Sequence, residues 1–315
     1  MKRLIFIFLD GVGIGEPADT NPFYTARVKF LPFYQGNPGL PDGTPIKPID
    51  ACLGVEGTPQ SASGQTSLYT GENIPKLMGM HKDSYPNRSM RKIIVEKNLL
   101  LELRKQGLNA VFINAYPVYT RFFSEEHFRI GPEGEMHFSG GFPSEFKRRI
   151  SVTTCMMAAA RQTPFSEKDI MAEQAIFQDF SNRWLIEKGL KLPEYSPEKA
   201  AEILYHAMRR HDFVLYEFFQ TDLYGHRGSY SDQENLVKEI DRLLGALISL
   251  MDPQTDTLLL TADHGNLEDS TSRGHTRNPV PLVVWGNGAN GLRDTIEAIT
   301  DVTPAILKFF SYPFK

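Results

Sequence analysis

Cysteine is nearly absent: the 315 residues include only Cys52 and Cys155. They lie far apart and outside any CxxC spacing, which excludes a disulfide framework and a thiolate zinc cluster. A metal in this protein is therefore held by Asp, Glu and His. Charge of one sign is also scarce. With 34 basic and 38 acidic side chains and a net charge of −4, no basic groove stands ready to release counterions from a polyanion, so a dedicated nucleic-acid binder is disfavoured. Long apolar runs are missing too. Leu4 to Leu9 is followed at once by Asp10, far short of the ~20 residues of a membrane span. It is equally short for a signal-peptide core, and no small-residue cleavage site follows it. The segment reads as a buried strand of a cytoplasmic protein.

What the chain does have is alternation. Leu4 to Leu9, Ala110 to Asn114, Phe213 to Phe218, Thr257 to Thr261 and Val280 to Val284 are apolar at most consecutive positions, as strands buried on both faces are. Helical patterns lie between them. Asn98 to Gln106 ends at Gly107, Ser196 and Pro197 open another helix, and Asn235 to Leu250 carries an apolar stripe. This order predicts an α/β fold, a mostly parallel sheet covered by helices. Two stretches break the pattern. Residues 31–60 are dense in Pro and Gly and read as an ordered surface excursion with short strands. Residues 117–193 begin Gly/Pro-rich, continue with helical material around Asp169 to Glu187, and read as an inserted cap or lid. The catalytic core is then 1–116 plus 194–315.

Three of the strands run into acids at or just beyond their carboxyl ends: Asp10, Asp222 and Asp263. In an open parallel sheet those ends share the edge where ligands bind. Histidines crowd the same places, in Asp222-Leu-Tyr-Gly-His226, Asp263-His264-Gly265-Asn266 and Gly274-His275-Thr276. Imidazole and carboxylate hold Zn²⁺ or Mn²⁺ where thiolate is lacking. Asp10, Asp222, His226, Asp263, His264 and His275 are too many ligands for one four-coordinate ion and suit two, a clamp for in-line displacement at phosphorus. A hydroxyl nucleophile is available in Thr58 to Gly71, where Ser61, Ser63, Thr66 and Ser67 all qualify on chemistry and the segment leads towards a helix.

These motifs resemble those of the alkaline phosphatase superfamily, nearest to its branch with cofactor-independent phosphoglycerate mutase and phosphopentomutase. Asp10-Gly-Val-Gly13 is similar to the first metal motif, Asp222 to His226 to the second, Thr261 to Asn266 to the third, and His275-Thr276 with Asn278 to Leu282 to the fourth. The resemblance implies a three-layer α/β/α sandwich and two divalent ions, Mn²⁺ or Zn²⁺. It selects Ser61, with Gly64 and Gly71 behind it, as the nucleophile, and Ser63 as its reserve. It assigns Asp222, His226 and His275 to one metal and Asp10, Ser61, Asp263 and His264 to the other. Asn21 resembles a polar position of that branch, and His81 is a further candidate for the substrate pocket.

The departures from the branch bear on activity. The large domain that follows the nucleophile loop in the mutases has no counterpart before the helix at Asn98, and Gln65 stands where the mutases commonly have His. A sulfatase is disfavoured because the Ser61 loop has no Cys. The leading expectation is a phosphatase that hydrolyses small phosphate monoesters through a phosphoserine. A phosphomutase and a phosphodiesterase or nucleotide pyrophosphatase are the alternatives, and a non-catalytic, metal-stabilised ligand-binding scaffold is the rival of a different class. No nucleic acid or membrane partner is expected. Bland readings suit the remaining polar residues: exposed lid positions for His127 and His137, surface or cap positions for His206 and His211, and a solvated face for Lys147-Arg148-Arg149.

Overall fold

A computed structural model describes residues 2–117, 120–123, 126–139 and 141–311. Met1 of the basic start and positions 118, 119, 124, 125 and 140 of the insert lie outside the described residues. The strands in chain order are β1 (Arg3–Leu9), β2 (Ile46–Ile49), β3 (Ala110–Phe112), β4 (Phe128–Ile130), β5 (Met136–Phe138), β6 (Phe213–Phe218), β7 (Asp256–Thr261) and β8 (Val280–Gly286). Six of them form one sheet in the order β2-β8-β7-β1-β6-β3. β1 is interior because its residues from Leu4 onward are buried on both faces. It is parallel to β6 and to β7, so Leu9 pairs with Phe218 and Phe8 with Thr261, and the carboxyl ends of all three strands reach one edge.

β8 is the exception in direction. It runs antiparallel to β7, which brings its amino end to that same edge. β2 is one of the short strands expected within residues 31–60, but it belongs to the central sheet and not to a surface excursion: it pairs with β8 as an edge strand, a place where Pro48 is tolerated because an edge strand can do without a ladder donor.

Helices cover both faces of the sheet. Asn98 and Ser196 cap the helices Leu99–Lys105 and Pro197–Arg210 by accepting from the amides of Leu101 and Lys199. The helix expected from Asn235 starts earlier, at Tyr230, because Ser229 and Asp232 form a reciprocal capping box. The continuous helix expected around Asp169 to Glu187 is absent. Two short helices, Glu167–Met171 and Arg183–Glu187, stand there instead, separated by Glu173, Phe180 and Asn182 at positive φ, a conformation that interrupts a right-handed helix. Within the insert, helix Val152–Ala159 buries Val152, Cys155 and Met156 in the same apolar core as β1 and β6. Ile176 and Phe165 pair with Asn114 and Ala115 just past β3, so the insert is zipped onto the edge of the sheet. No helix among the described residues is long and apolar enough to cross a membrane.

Candidate metal centre

Every cluster residue is delivered by the sheet edge. Asp10 follows β1, and its amide donates to Phe218 O at 3.1 Å. Thr221 Oγ1 in turn donates to Asp10 O, tying the end of β1 to the helix Gln220–Arg227. Asp222 and His226 sit one turn apart on that helix and so share a face. Asp263 and His264 follow β7, and the loop carrying His275 lies beside them because Thr276 N donates to Gly265 O at 2.9 Å. The strands approach so closely that Gly11, at φ +68°, has no room for a side chain: a Cβ there would lie 2.7 Å from Asp222 Oδ1.

The ligand atoms converge in two groups. Asp222 Oδ1 lies 3.3 Å from His226 Nε2 and 3.4 Å from His275 Nε2, and the two nitrogens are 3.1 Å apart. His275 Nδ1 donates to Pro59 O at 2.9 Å, and His226 Nδ1 donates to Arg273 O. These bonds place both Nε2 atoms at the carboxylate oxygen, the outer-shell arrangement that orients imidazole for a metal. In the second group His264 Nε2 is 3.4 Å from Asp10 Oδ1 and 3.5 Å from Asp263 Oδ2. His264 also stacks on His275 with centroids 3.8 Å apart, so the groups adjoin, and Asp222, His264 and His275 form a compact donor set as well.

Ser61 Oγ completes the second group, 2.9 Å from His264 Nε2. The Ser/Thr-rich segment is a helix from its outset, Ser61–Thr70, closed by Gly71 in the left-handed conformation. Its other hydroxyls turn inward: Thr66, Ser67 and Thr70 donate to carbonyls one turn back, and Ser63 accepts from Lys82 N at 2.9 Å. Ser61 alone of the four candidate hydroxyls faces the cluster. Gly64 lets this helix lie against the end of β7, since a Cβ there would stand 2.9 Å from Asp263 O. Gln65 Nε2 donates to Asp10 Oδ2 at 3.2 Å.

The electrostatics show what the cluster lacks. Burial, then repulsion from neighbouring carboxylates, pushes Asp10 and Asp263 well above the ordinary carboxylate range. Burial drives His264 down. Burial opposes ionisation of Asp222 too, but the His275 hydrogen bond and the imidazoles around it hold its carboxyl below the usual value. Asp10 Oδ1 and Asp263 Oδ2 are buried with no hydrogen-bond partner. Two orphaned carboxylate oxygens and three converging imidazole nitrogens are a donor set short of cations, and their chemistry fits Zn²⁺ or Mn²⁺.

A cavity of about 470 Å³ opens from Asp10, Ser61 and Asp222 to the insert, which contributes Phe123, Phe146, Arg149, Thr154, Phe177 and Trp184 among its walls. Arg149 therefore stands at the cavity rather than on a merely solvated face. Asn21 does not line it. Its side chain caps the helix Pro22–Thr25 through Phe23 N and donates to Glu16 O and Phe33 O. His81 also lies outside the lining, beside Gly57, with Nε2 buried and unpartnered. His127 and His137 do not line the cavity. Two residues escape the sequence reading. Glu268 is buried and gathers Gly13 N and Asn266 N at 2.8 Å each, Asn278 Nδ2 at 3.0 Å and Thr276 Oγ1. Glu217 lines the cavity from within β6, and an acid inside an otherwise apolar strand is the signal that marks it.

Residues 142–313 match the family model of the Metalloenzyme superfamily. A 2,3-bisphosphoglycerate-independent phosphoglycerate mutase of Desulforudis audaxviator is 28% identical over 127 residues, 38% of this chain and 25% of that protein. The chain thus spans about a quarter of the length of the curated relatives it matches. The alkaline phosphatase of the Antarctic bacterium TAB5 shares the fold at a TM-score of 0.53 and 14% identity, covering 99% of both chains. A Pyrococcus horikoshii protein does so at 0.53 and 12% identity, covering 100% of this chain and 98% of its own.

Proposed function

The chain belongs to the Metalloenzyme superfamily, and on that premise we propose that it is a two-metal phosphotransferase whose nucleophile is Ser61 and whose reaction is hydrolysis of small phosphate monoesters. The observation that carries this reading is the convergence of Ser61 Oγ, at a helix start and open to the cavity, with Asp10, Asp263 and His264. Asp222, His226 and His275 would hold one ion, and Asp10, Ser61, Asp263 and His264 the other. When bound, the two divalent ions supply positive charge for the transferring oxygens and favour the Ser61 alkoxide.

The chain's own groups do the rest. The amides of Ser61 and Ala62 begin the helix without an acceptor among the described residues, and the partial positive charge of a helix start favours a phosphate beside Ser61. Ser61 Oγ forms the new O–P bond in line as the ester P–O bond breaks and the alcohol departs with a proton. Water then cleaves the phosphoserine, returning the Ser61 hydroxyl and releasing inorganic phosphate. The insert's side chains wall the cavity, and a wall that shuts out water is what a phosphomutase needs. Mutase activity is therefore the second reading, with a substrate hydroxyl replacing water.

³¹P NMR of the protein loaded with Mn²⁺ or Zn²⁺ and given sugar phosphates, phosphoglycerates and nucleotide esters separates these outcomes. Inorganic phosphate supports the hydrolase. A phosphorus resonance moving to another carbon without free phosphate supports the mutase, and an unchanged spectrum across the panel overturns both.

A further inference from the structure

Glu217 is a buried carboxylate that the proposed phosphoryl transfer leaves unused. Its backbone is clipped to Asn114, whose Nδ2 donates to Glu217 O at 2.7 Å while Oδ1 accepts from Glu217 N at 2.9 Å. The residue is 5% exposed and lines the cavity that holds Ser61. Oε2 accepts from Thr153 Oγ1 at 3.1 Å and Tyr116 OH at 3.4 Å, whereas Oε1 accepts from no donor among the described residues. Burial pushes the group up to about 7, opposed only by those two hydroxyls. Arg149, the one basic side chain lining the cavity among the described residues, is exposed and forms no ion pair with it.

A carboxylate withdrawn from water without a cation costs several kcal/mol, and a pair of hydroxyls is poor compensation. The surrounding walls sharpen the preference. Tyr116, Phe123, Phe146, Phe177 and Trp184 line the same cavity, and aromatic faces attract cations and repel anions. A substrate whose phosphate is held at Ser61 extends its alcohol portion into this space. We propose that Glu217 is the recognition site for a positively charged amine on that alcohol, so that the substrates are phosphate esters of amino alcohols. This rests on the phosphoryl-transfer reading above and names its substrate class.

The test compares isosteric pairs on the metal-loaded protein: 2-aminoethyl phosphate against propyl phosphate, and choline phosphate against 3,3-dimethylbutyl phosphate. The expected result is a preference in kcat/KM of roughly ten- to a hundredfold for the cationic member of each pair. In Glu217→Gln that ratio falls at least several-fold, to what the aromatic walls alone sustain, because an amide offers no charge. Equal rates within the pairs in the wild-type protein overturn the proposal whether or not the variant folds. So does a preference for 2-hydroxyethyl phosphate, which would make Glu217 a partner for neutral donors. If no ester in the panel is turned over, the phosphoryl-transfer reading fails, and the amine site is judged separately by binding. Choline alone should then change the emission of Trp184, which lines the cavity, in the wild type and not in Glu217→Gln. No change in the wild type sinks the amine site too.

Discussion

Ser61 Oγ and His264 Nε2 stand 2.9 Å apart, and that nitrogen also faces the unpartnered oxygens of Asp10 and Asp263. A hydroxyl so placed is either a nucleophile or one more polar group filling a metal-stabilised scaffold. Ser61→Ala separates the two. The expected outcome is a fall in kcat of about a thousandfold or more, with two ions still bound at saturating metal because the carboxylates and imidazoles remain. Rates measured beside metal content decide it: turnover that survives the substitution removes Ser61 as the nucleophile, and two bound ions with no turnover in either protein favour the scaffold.

Gln65 is the only side chain that donates to Asp10 Oδ2 among the described residues. Gln65→Ala removes that donor and leaves the carboxylate free to rotate, and outer-shell losses of this kind typically cost ~10- to 100-fold in metal affinity. Titrating Mn²⁺ or Zn²⁺ into the chelator-treated protein should show one of two binding steps weakened by that factor. Two unchanged steps would show that the Gln65 contact does not orient Asp10.

The meeting of Asp10, Asp222, Asp263 and the histidines beside them is legible in the sequence because acids after buried strands are local patterns, and a parallel sheet turns such patterns into one edge. Ser61 is not singled out that way, since Ser63, Thr66 and Ser67 qualify on chemistry too, and the family resemblance selects it. The same logic fails where distant packing decides. β2 hides in a Pro/Gly-rich stretch because its partner β8 lies more than two hundred residues on. Asn21 looks functional by position, yet its polar atoms are all taken by backbone. The Asp169 to Glu187 segment has helical composition, but positive-φ residues that no periodicity reveals divide it.

The folded-state carboxyl of Glu217 titrates higher than its ordinary 4.5, up to about 7, through burial. Between those values the folded protein binds more protons than the unfolded chain, so this group's contribution to stability is complete below pH 4.5 and is lost as pH rises through 7. Relative to Glu217→Gln, the wild-type protein should lose up to about 3 kcal/mol over that window. Urea unfolding of both proteins at pH 4.5, 6 and 8 reads the difference, and parallel stabilities across the range would place Glu217 in a more solvated setting.

Gly64→Ala tests how tightly the nucleophile helix is pressed on β7. The added methyl would meet Asp263 O at 2.9 Å and Asp263 Cβ at 3.1 Å, and neither atom is the end of a flexible chain. Overpacking of this kind costs ~1–3 kcal/mol, and here it displaces Ser61 from Asp263 itself. A lower Tm together with weaker metal binding is expected. A lower Tm with metal affinity intact would mean that the helix yields elsewhere.

Glu268 binds three motifs that the sequence presents separately. One carboxylate receives Gly13 N from the Asp10 turn, Asn266 N from the His264 turn, and Thr276 Oγ1 and Asn278 Nδ2 from the His275 loop. It touches none of the proposed ligand atoms, so its work is positioning. Glu268→Gln keeps the shape but replaces an acceptor-only group with one that turns an NH₂ towards donors, and leaving buried donors unpaired costs about 1–3 kcal/mol each. The loops should then separate before the sheet unfolds. The expected signature is a large loss of metal affinity on both titration steps, partly recovered by Glu268→Asp. A general loss of stability with metal affinity unchanged would instead make Glu268 a packing residue, since no merely structural role predicts rescue of metal binding by the shorter acid.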